Sequence, residues 1–265
     1  MNSGLHQNLQ APPWVEALLG LLYPGVCHLC RDEPAGPAAG YVGAACRARV
    51  RAVRAPFCQR CGLPYAGEIS HTFSCANCAE VELHFETARA AAIADGPVLE
   101  ALHRYKYSDA RWFHPFLAGL LCDAALPELR AGGWSMVVPV PLHSVKRRER
   151  GFNQAEALAR PLAKALGIPL RTELVHRVAP THTQTTLSRA QRAENVSRAF
   201  RAGSGRRRPF PWSAHESPPR LDGASVIVID DVLTTGATAN AVARELRRMG
   251  AQRVCVWSAA RATLT

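Results

Sequence analysis

The chain has 265 residues and a mass of 28.7 kDa, enough for one or two domains with a buried core. Apolar residues make up 48% of it and charged residues 20%, a globular composition that excludes wholesale disorder. It has no run of about 20 apolar residues, and its first residues lack the basic start and apolar centre of a secretory signal. We therefore expect a cytoplasmic protein without membrane insertion. The excess of 32 Lys and Arg over 21 Asp and Glu gives a net charge of +11, which predicts attraction to polyanions such as nucleotides, pyrophosphate or nucleic acid.

Seven of the nine cysteines lie in the first third of the chain. Thiols stay reduced in the cytoplasm, so a metal site is a better interpretation than a disulfide framework. The clearest pattern is Cys58 and Cys61 followed by Cys75 and Cys78, two C-x-x-C motifs. Brought together, two such motifs supply four thiolates to a tetrahedral zinc ion with no open position, which predicts a structural zinc site.

An upstream cysteine set is incomplete. Cys27 and Cys30 form a third C-x-x-C motif, but the segment that ends in Cys46 has Gly43 where a fourth ligand would stand. Three thiolates hold zinc only if His28, a carboxylate or water completes the shell. The alternative is a decayed site whose cysteines are simply buried, and the sequence leaves both open.

The remaining pattern predicts an α/β fold. We predict a zinc-ribbon domain at residues 1–85, where metal replaces a large core, and a second domain at residues 86–265. In the second domain, short β-branched strands alternate with helices, which indicates a parallel sheet flanked by helices. A Gly-, Pro- and Arg-rich stretch at 201–223 is predicted to be a flexible insert. The predicted helices are Pro97–Tyr105, Ala110–Leu126, Asn153–Leu166 and Ala237–Met249, and the predicted strands are Val137–Val140, Val226–Ile229 and Val254–Trp257.

A basic segment follows the first of these strands and contains Lys146, Arg147, Arg148 and Arg150. Guanidinium groups bind phosphate oxygens in a bidentate manner, and a lysine adds a mobile point charge. A solvated basic turn is the alternative. The position directly after a strand favours a phosphate-binding loop.

The strongest chemical signal runs from Val226 to Thr238. An apolar strand ends in Asp230 and Asp231, at the sheet edge where open α/β folds bind ligands. A threonine-rich turn then opens a helix whose N–H groups and dipole favour a phosphate. A ribose 5-phosphate would satisfy both features, because the acids accept hydrogen bonds from its hydroxyls and the turn holds its phosphate. The alternative is a simple helix N-cap beside an exposed acid.

This stretch resembles the phosphoribosyl pyrophosphate (PRPP) motif of type I phosphoribosyltransferases at every position. The resemblance implies that Asp230 and Asp231 bind the ribose hydroxyls and act in catalysis, and that the turn binds the 5′-phosphate. It implies that Lys146, Arg147 and Arg148 meet the pyrophosphate and that Mg²⁺ arrives with PRPP. The PRPP-binding set that it implies is Asp230, Asp231, Val232, Thr234, Thr235, Gly236, Ala237 and Thr238.

More narrowly, the chain resembles the ComF (ComFC, GntX-like) family, which joins an N-terminal double zinc ribbon to such a domain. The supporting motifs are Val138–Leu142, Arg148–Gln154 and the polar residues from Thr183 to Phe200. Gly43 departs from the family pattern, which usually has a cysteine there. The resemblance implies a phosphoribosyltransferase-like protein of competence, DNA uptake or nucleotide-linked metabolism, with other DNA-uptake proteins among its partners.

Catalysis itself stays open at this point. No segment identifies an acceptor base, and the histidines are candidate general bases by residue type alone: His103, His143, His176 and His182. The alternative is a non-catalytic single-stranded DNA-binding protein regulated by PRPP or a nucleotide. A zinc-stabilised adaptor is a third interpretation, which leaves the phosphate motif without a role. The basic stretches available to DNA are Arg47–Arg60, Lys146–Arg150 and Arg189–Arg208.

Overall fold

The computed structural model describes residues 25–65, 67, 75–79, 81–179, 198–203 and 219–263. A four-stranded parallel sheet lies at its centre, with the strand order β1-β6-β5-β2. These strands are β1 (Thr87–Ile93), β2 (Met136–Pro139), β5 (Ser225–Leu233) and β6 (Arg253–Arg261). An antiparallel pair, β3 (Val175–Arg177) and β4 (Phe200–Ala202), forms a second small sheet.

The helices are α1 (Ala44–Ala48), α2 (Ala76–Ala79), α3 (Gly96–Tyr107), α4 (His114–Leu129), α5 (Ser144–Arg150), α6 (Gln154–Leu166) and α7 (Ala237–Arg248). Two 3₁₀ turns occur at Pro37–Ala39 and Arg111–Phe113. None of the helices in the described part of the chain is long and apolar enough to cross a membrane.

Strand β5 is buried on both faces of the sheet. Successive side chains of a strand point to opposite faces, and Ile227 and Ile229 pack into the core formed with α3, α4 and α6. Val226 and Val228 pack into a second core with α7 and the small sheet. Because all four strands are parallel, their carboxyl ends meet at one edge. The pairing of Pro139 with Ile229 places the end of β2 beside the residue that precedes Asp230.

The segment that carries the cysteines covers the free side of β1. Val53 N–H donates to Ala91 O at 3.0 Å, and Ile93 N–H donates to Arg51 O at 2.7 Å. Further along, Ala88 N–H donates to Arg60 O at 2.7 Å. These bonds occupy backbone groups that an edge strand would otherwise expose. The zinc-ribbon region is thus attached along one side of the α/β sheet.

The predicted parallel sheet with flanking helices is confirmed, with differences in the elements. The predicted helices are present, although Ala110–Leu126 begins as a 3₁₀ turn before α4. Strand β1 was not predicted, because its sequence is mostly alanine, which has weak strand propensity. The predicted basic loop after β2 is instead the helix α5. The insert predicted from residue 201 begins within β4, and residues 204–218 lie outside the described residues.

Candidate functional site

Asp230 and Asp231 lie towards the carboxyl end of β5, and both are half-buried. The two side chains point to opposite faces of the strand, so they have different partners. Asp231 Oδ1 accepts a 2.9 Å hydrogen bond from Lys106 Nζ on α3. Asp230 Oδ1 accepts a 2.9 Å hydrogen bond from the N–H of Asp231, and the positive charges of Lys106 and, more weakly, Arg177 both act on this carboxylate. Lys106 is therefore paired with Asp231 and also acts on Asp230.

The environment of Asp230 shifts the pKa of its carboxyl group. Burial, followed by the charge of Asp231, raises the pKa of Asp230 to about 7, against the opposing effects of Lys106, the Asp231 N–H and Arg177. The charge of Asp231 acts in the same direction as burial on Tyr105, whose pKa is raised above its usual range. A carboxyl group that titrates near neutral pH at a sheet edge is characteristic of functional sites.

The turn after β5 presents hydroxyl groups to solvent. Thr234 and Thr235 are exposed, and Thr235 Oγ1 accepts a 3.4 Å hydrogen bond from Ala237 N–H at the start of α7. Gly236 has φ +81°, a left-handed conformation that L side chains rarely adopt, and it lets the chain turn directly into the helix. Thr238 is half-buried on the first turn of α7. Val232 is partly buried, and its side chain packs against the core next to the turn.

Arg261 at the end of β6 supports the same turn. Its side chain is fully buried, and Nη1 donates to Leu233 O at 3.1 Å and to Thr234 O. Its Nη2 lies 3.8 Å from Cys61 Sγ. Burial lowers the pKa of Arg261, and the neighbouring thiols oppose that shift. Arg261 thus links the turn to the downstream cysteine cluster.

Sequence reasoning missed Arg261, Lys106 and Arg177. The only available signal for Arg261 was a charged residue at the end of an otherwise apolar segment. Lys106 and Arg177 carried no signal, because basic residues at the end of a helix or on a short strand are common.

The basic residues after β2 lie on α5. Lys146, Arg147 and Arg148 are exposed on this helix, at the edge of the sheet that also carries Asp230. Arg147 lines a cleft of about 290 Å³ that extends to β3. Its other lining residues include Pro141, Asn153, Glu156, Glu173, His176 and Arg177.

The Arg148–Gln154 motif fastens α5 and α6 to the end of β2. Gly151 ends α5 with φ +72°, and a Cβ there would lie 2.7 Å from Arg111 Nη2. Asn153 Oδ1 caps α6 by accepting from Ala155 N–H at 3.1 Å, while its Nδ2 donates to Val140 O at 3.0 Å. The other polar motif that supported the family resemblance, from Thr183 to Asn195, lies outside the described residues.

Much of the basic stretch Arg47–Arg60 is engaged within the molecule. Arg47 donates to Val42 O at 3.1 Å and to Ala39 O at 2.7 Å, and Arg51 forms an ion pair with Asp95. Arg49 also donates to Cys46 Sγ at 3.1 Å, so three of the five arginines in this stretch have partners within the molecule. The stretch Arg189–Arg208 lies largely outside the described residues.

The downstream cysteines are arranged as a metal site. The Sγ–Sγ distances are 3.7 Å for Cys58 and Cys78, 3.4 Å for Cys61 and Cys75, and 3.6 Å for Cys75 and Cys78. Sulfurs bound at about 2.3 Å around a tetrahedral zinc lie about 3.8 Å apart. The four thiols therefore fit a structural zinc ion.

The upstream cysteines form a second cluster. The ligand atoms of Cys27, Cys30, Cys46 and Glu33 all lie within 4.8 Å of one another. His28 instead stacks on Tyr41, with ring centroids 4.7 Å apart, and packs against Trp112 and Phe113.

Comparison with known proteins finds family matches for both the N-terminal and the C-terminal part of the chain. Residues 18–79 match the family model of the double zinc ribbon domain, and residues 150–263 match that of the phosphoribosyl transferase domain. Competence protein F of Haemophilus influenzae is 31% identical over 210 residues, which cover 78% of this chain and 85% of that protein. The DNA utilization protein YhgH of Salmonella typhimurium and that of Escherichia coli K12 are each 32% identical over 242 residues, 89% of this chain and 97% of theirs. The chain belongs to the ComF family.

The ComF-family assignment confirms the resemblance found in the motifs and the order of its two domains. A solved purine phosphoribosyltransferase from Pyrococcus horikoshii aligns with a TM-score of 0.32 and 16% identity, covering 53% of this chain and 70% of that one. This likeness is too low to carry an argument. The phosphoribosyltransferase-like character of this ComF protein therefore rests on the domain match and on the parallel sheet with its flanking helices.

Proposed function

We propose that this ComF-family protein binds PRPP at the carboxyl edge of its parallel sheet and transfers the phosphoribosyl group to an acceptor, as part of DNA uptake or utilization in the cytoplasm. The observation that carries the proposal is the convergence at one edge of Asp230, Asp231 and the exposed Thr234–Thr235 turn. The names of its relatives, Competence protein F and DNA utilization protein YhgH, support the biological setting.

Each part of PRPP has a complementary group at this edge. The ribose hydroxyls would donate to Asp230 and Asp231, and the 5′-phosphate would lie in the turn that opens α7, where backbone N–H groups and the helix dipole favour an anion. The pyrophosphate would meet Lys146, Arg147 and Arg148 on α5. Lys106 Nζ donates to Asp231 Oδ1, so a bound ribose would meet a carboxylate that is already oriented.

In the proposed transfer, the bond between C1′ and the pyrophosphate oxygen loosens as the acceptor approaches, and positive charge develops on the ribose ring. The two acids hold the ring in place, and the basic residues of α5 stabilise the negative charge that develops on the leaving group. Mg²⁺, when bound with PRPP, would neutralise part of the pyrophosphate charge.

The test is PRPP binding measured by calorimetry on the full chain, with and without Mg²⁺. The Asp230→Asn/Asp231→Asn variant should bind PRPP at least about tenfold more weakly, since each lost charged hydrogen bond costs about 1.5–3 kcal/mol. Asp222→Asn is the matched control, because Asp222 is an exposed acid on the same domain that pairs with Arg220. Unchanged affinity in the double variant would overturn the proposal. Pyrophosphate release with a panel of nucleobases then separates an enzyme from a binding protein.

Single-stranded DNA binding is the second candidate function. Tyr107 is 65% exposed beside Lys106, and the Arg150 guanidinium lies 5.0 Å above its ring. Trp112 is also exposed. An exposed aromatic ring with basic neighbours can stack on a base while cations hold the phosphates. Phe152 and Phe200 also have basic neighbours in the sequence, but they are less suitable, because Phe200 is fully buried and Phe152 packs edge-on against Tyr105.

The two candidate functions are separable by mutation. Tyr107→Ala/Arg150→Ala should weaken the binding of a fluorescent single-stranded oligonucleotide by about tenfold and lower its salt dependence, whereas Leu99→Ala on the same helix should not. The Asp230→Asn/Asp231→Asn variant should keep oligonucleotide binding. If the Tyr107→Ala/Arg150→Ala variant binds like the wild type, DNA does not use this surface.

A further inference from the structure

The upstream cysteine cluster has three thiols and a carboxylate. Cys27, Cys30 and Cys46 come from two separate segments, and Glu33 reaches them from the loop between those segments. Oε1 of Glu33 lies 3.6 Å from Sγ of Cys30. Such a separation suits two ligands of one zinc ion.

The position of Gly43 shows how the carboxylate comes to lie there. A Cβ built on Gly43 would lie 2.2 Å from Cδ of Glu33, 2.4 Å from its Cγ and 2.5 Å from its Oε2. The Glu33 side chain therefore fills the volume that a side chain at position 43 would occupy. Glycine at position 43 and glutamate at position 33 are complementary in this fold.

The carboxylate of Glu33 is also held in a fixed orientation. Its Oε2 accepts a 2.8 Å hydrogen bond from Ala45 N–H, and its Oε1 accepts a 2.9 Å bond from Cys46 N–H. Hydrogen bonds from the surrounding protein are what orient carboxylates that bind metals. One carboxylate and three thiolates carry the same total charge as four thiolates, so the exchange leaves the charge of the site unchanged.

We propose that Glu33 is the fourth ligand of the first zinc site and replaces the missing thiolate at position 43. The chain then holds a Cys₃Glu zinc site beside its Cys₄ site. His28 is not the fourth ligand, because its ring is stacked on Tyr41. The proposal concerns the zinc ribbon alone and is independent of PRPP binding.

Metal analysis of the full chain tests this assignment. The wild type should contain two zinc ions per chain, and Glu33→Ala should contain one. Asp32→Ala is the matched control, because Asp32 is an exposed acid at the adjacent position and should leave both ions in place. A wild type with one zinc ion, or a Glu33→Ala variant with two, would overturn the proposal.

A rescue variant distinguishes a ligand from a residue that only caps α1. Adding Gly43→Cys to Glu33→Ala places a thiol in the space that the carboxylate vacates, and it should restore the second zinc ion. With Co²⁺ in place of zinc, the thiolate-to-metal absorption of this double variant should exceed that of the wild type by about one seventh, since eight thiolates replace seven. If the double variant holds one zinc ion, or its cobalt spectrum matches that of the wild type, Glu33 is not a ligand.

Discussion

At the residue scale, the two acids at the end of β5 differ in what surrounds them. Asp231 is paired with Lys106 at 2.9 Å, whereas burial and the charge of Asp231 raise the pKa of Asp230. The protonation of Asp230 therefore changes within the pH range in which proteins are usually assayed. The environment of Asp230 lowers the stability of the fold, because keeping an ionised carboxylate in it costs folding free energy.

The stability cost of Asp230 has a pH dependence that can be measured. Its ordinary pKa is 3.8 and its folded pKa is about 7, so the folded state binds the extra proton between these values and wild-type stability falls as pH rises through that window. Asp230→Asn should therefore raise Tm at pH 8 by about 3–8 °C. The gain should shrink towards pH 5. Thermal denaturation at both pH values, with Asp222→Asn as control, checks this. A Tm gain of the same size at pH 5 and pH 8, or a lower Tm at both, would contradict the prediction.

Gly236 supports a second prediction at this scale. Its φ of +81° disfavours any L side chain, although a Cβ there would meet its nearest neighbours, Leu233 and Phe85, only at 4.0 Å. Gly236→Ala should destabilise the protein by about 1–2 kcal/mol and weaken PRPP binding several-fold, because the turn must adjust. Gly133→Ala is the matched control, with φ +61° and no atom within 4 Å of its Cβ. Gly133→Ala should lose a similar amount of stability but keep its affinity for PRPP. If both variants lose PRPP affinity equally, the effect of Gly236→Ala is not local to the turn.

At the element scale, Asn153 connects a helix to a strand. It caps α6 and donates to Val140 O at the end of β2. Asn153→Ala should reduce the free energy of unfolding by about 1–3 kcal/mol in urea denaturation, because it removes the cap and leaves a buried carbonyl without its donor. Asn153→Ser keeps a cap oxygen and places no charged oxygen against Val140 O, so it should lose less. If both variants match the wild type, the motif does not hold α6 in place.

The link between β6 and the turn belongs to the same scale. Arg261 donates to the carbonyls of Leu233 and Thr234 from a fully buried position, so we regard it as a positioning residue for the turn. Arg261→Met should weaken PRPP binding by about tenfold with the zinc content unchanged, because the turn loses two charged hydrogen bonds. Arg261→Lys should restore part of the affinity. Calorimetry with metal analysis checks both, and loss of zinc together with affinity would indicate a general structural role instead.

At the scale of the whole molecule, the zinc ribbon stabilises the edge of the sheet. The ribbon segment bonds along β1 through Arg51, Val53 and Arg60, and Cys61 Sγ lies 3.8 Å from Arg261. Zinc binding in small domains is coupled directly to folding. Loss of metal should therefore affect the α/β sheet as well as the ribbon.

Zinc removal tests this coupling. Dialysis against a chelator should lower Tm by at least about 5 °C and promote aggregation, because an uncovered edge strand is open to pairing with other chains. Adding zinc back should restore Tm. Magnesium, which prefers oxygen ligands, is the control and should not restore Tm. An unchanged Tm in metal-free protein would show that the ribbon is not coupled to the sheet.

The sequence was a good guide wherever the signal was local. The helices Pro97–Tyr105 and Asn153–Leu166 and the strand Val137–Val140 lie within three residues of the observed elements, because apolar periodicity and Pro or Gly boundaries are local properties. β1 was missed because its alanines pack well in a parallel sheet without showing strand propensity. α5 was missed because basic residues fit an exposed helix and an exposed loop equally well.

The amino-acid sequence by itself determined the ComF family, the α/β class, the four cysteines of the downstream zinc site and the acidic motif, because each is encoded in a short run of residues. The tertiary structure alone decided which cation pairs with Asp231, which carboxylate lies beside Cys30 and which arginine supports the turn. Lys106 and Asp231 are 125 positions apart, and Arg261 and Cys61 are 200 apart. Contacts across such separations depend on how strands and helices are stacked, and no local pattern of residue types specifies that stacking.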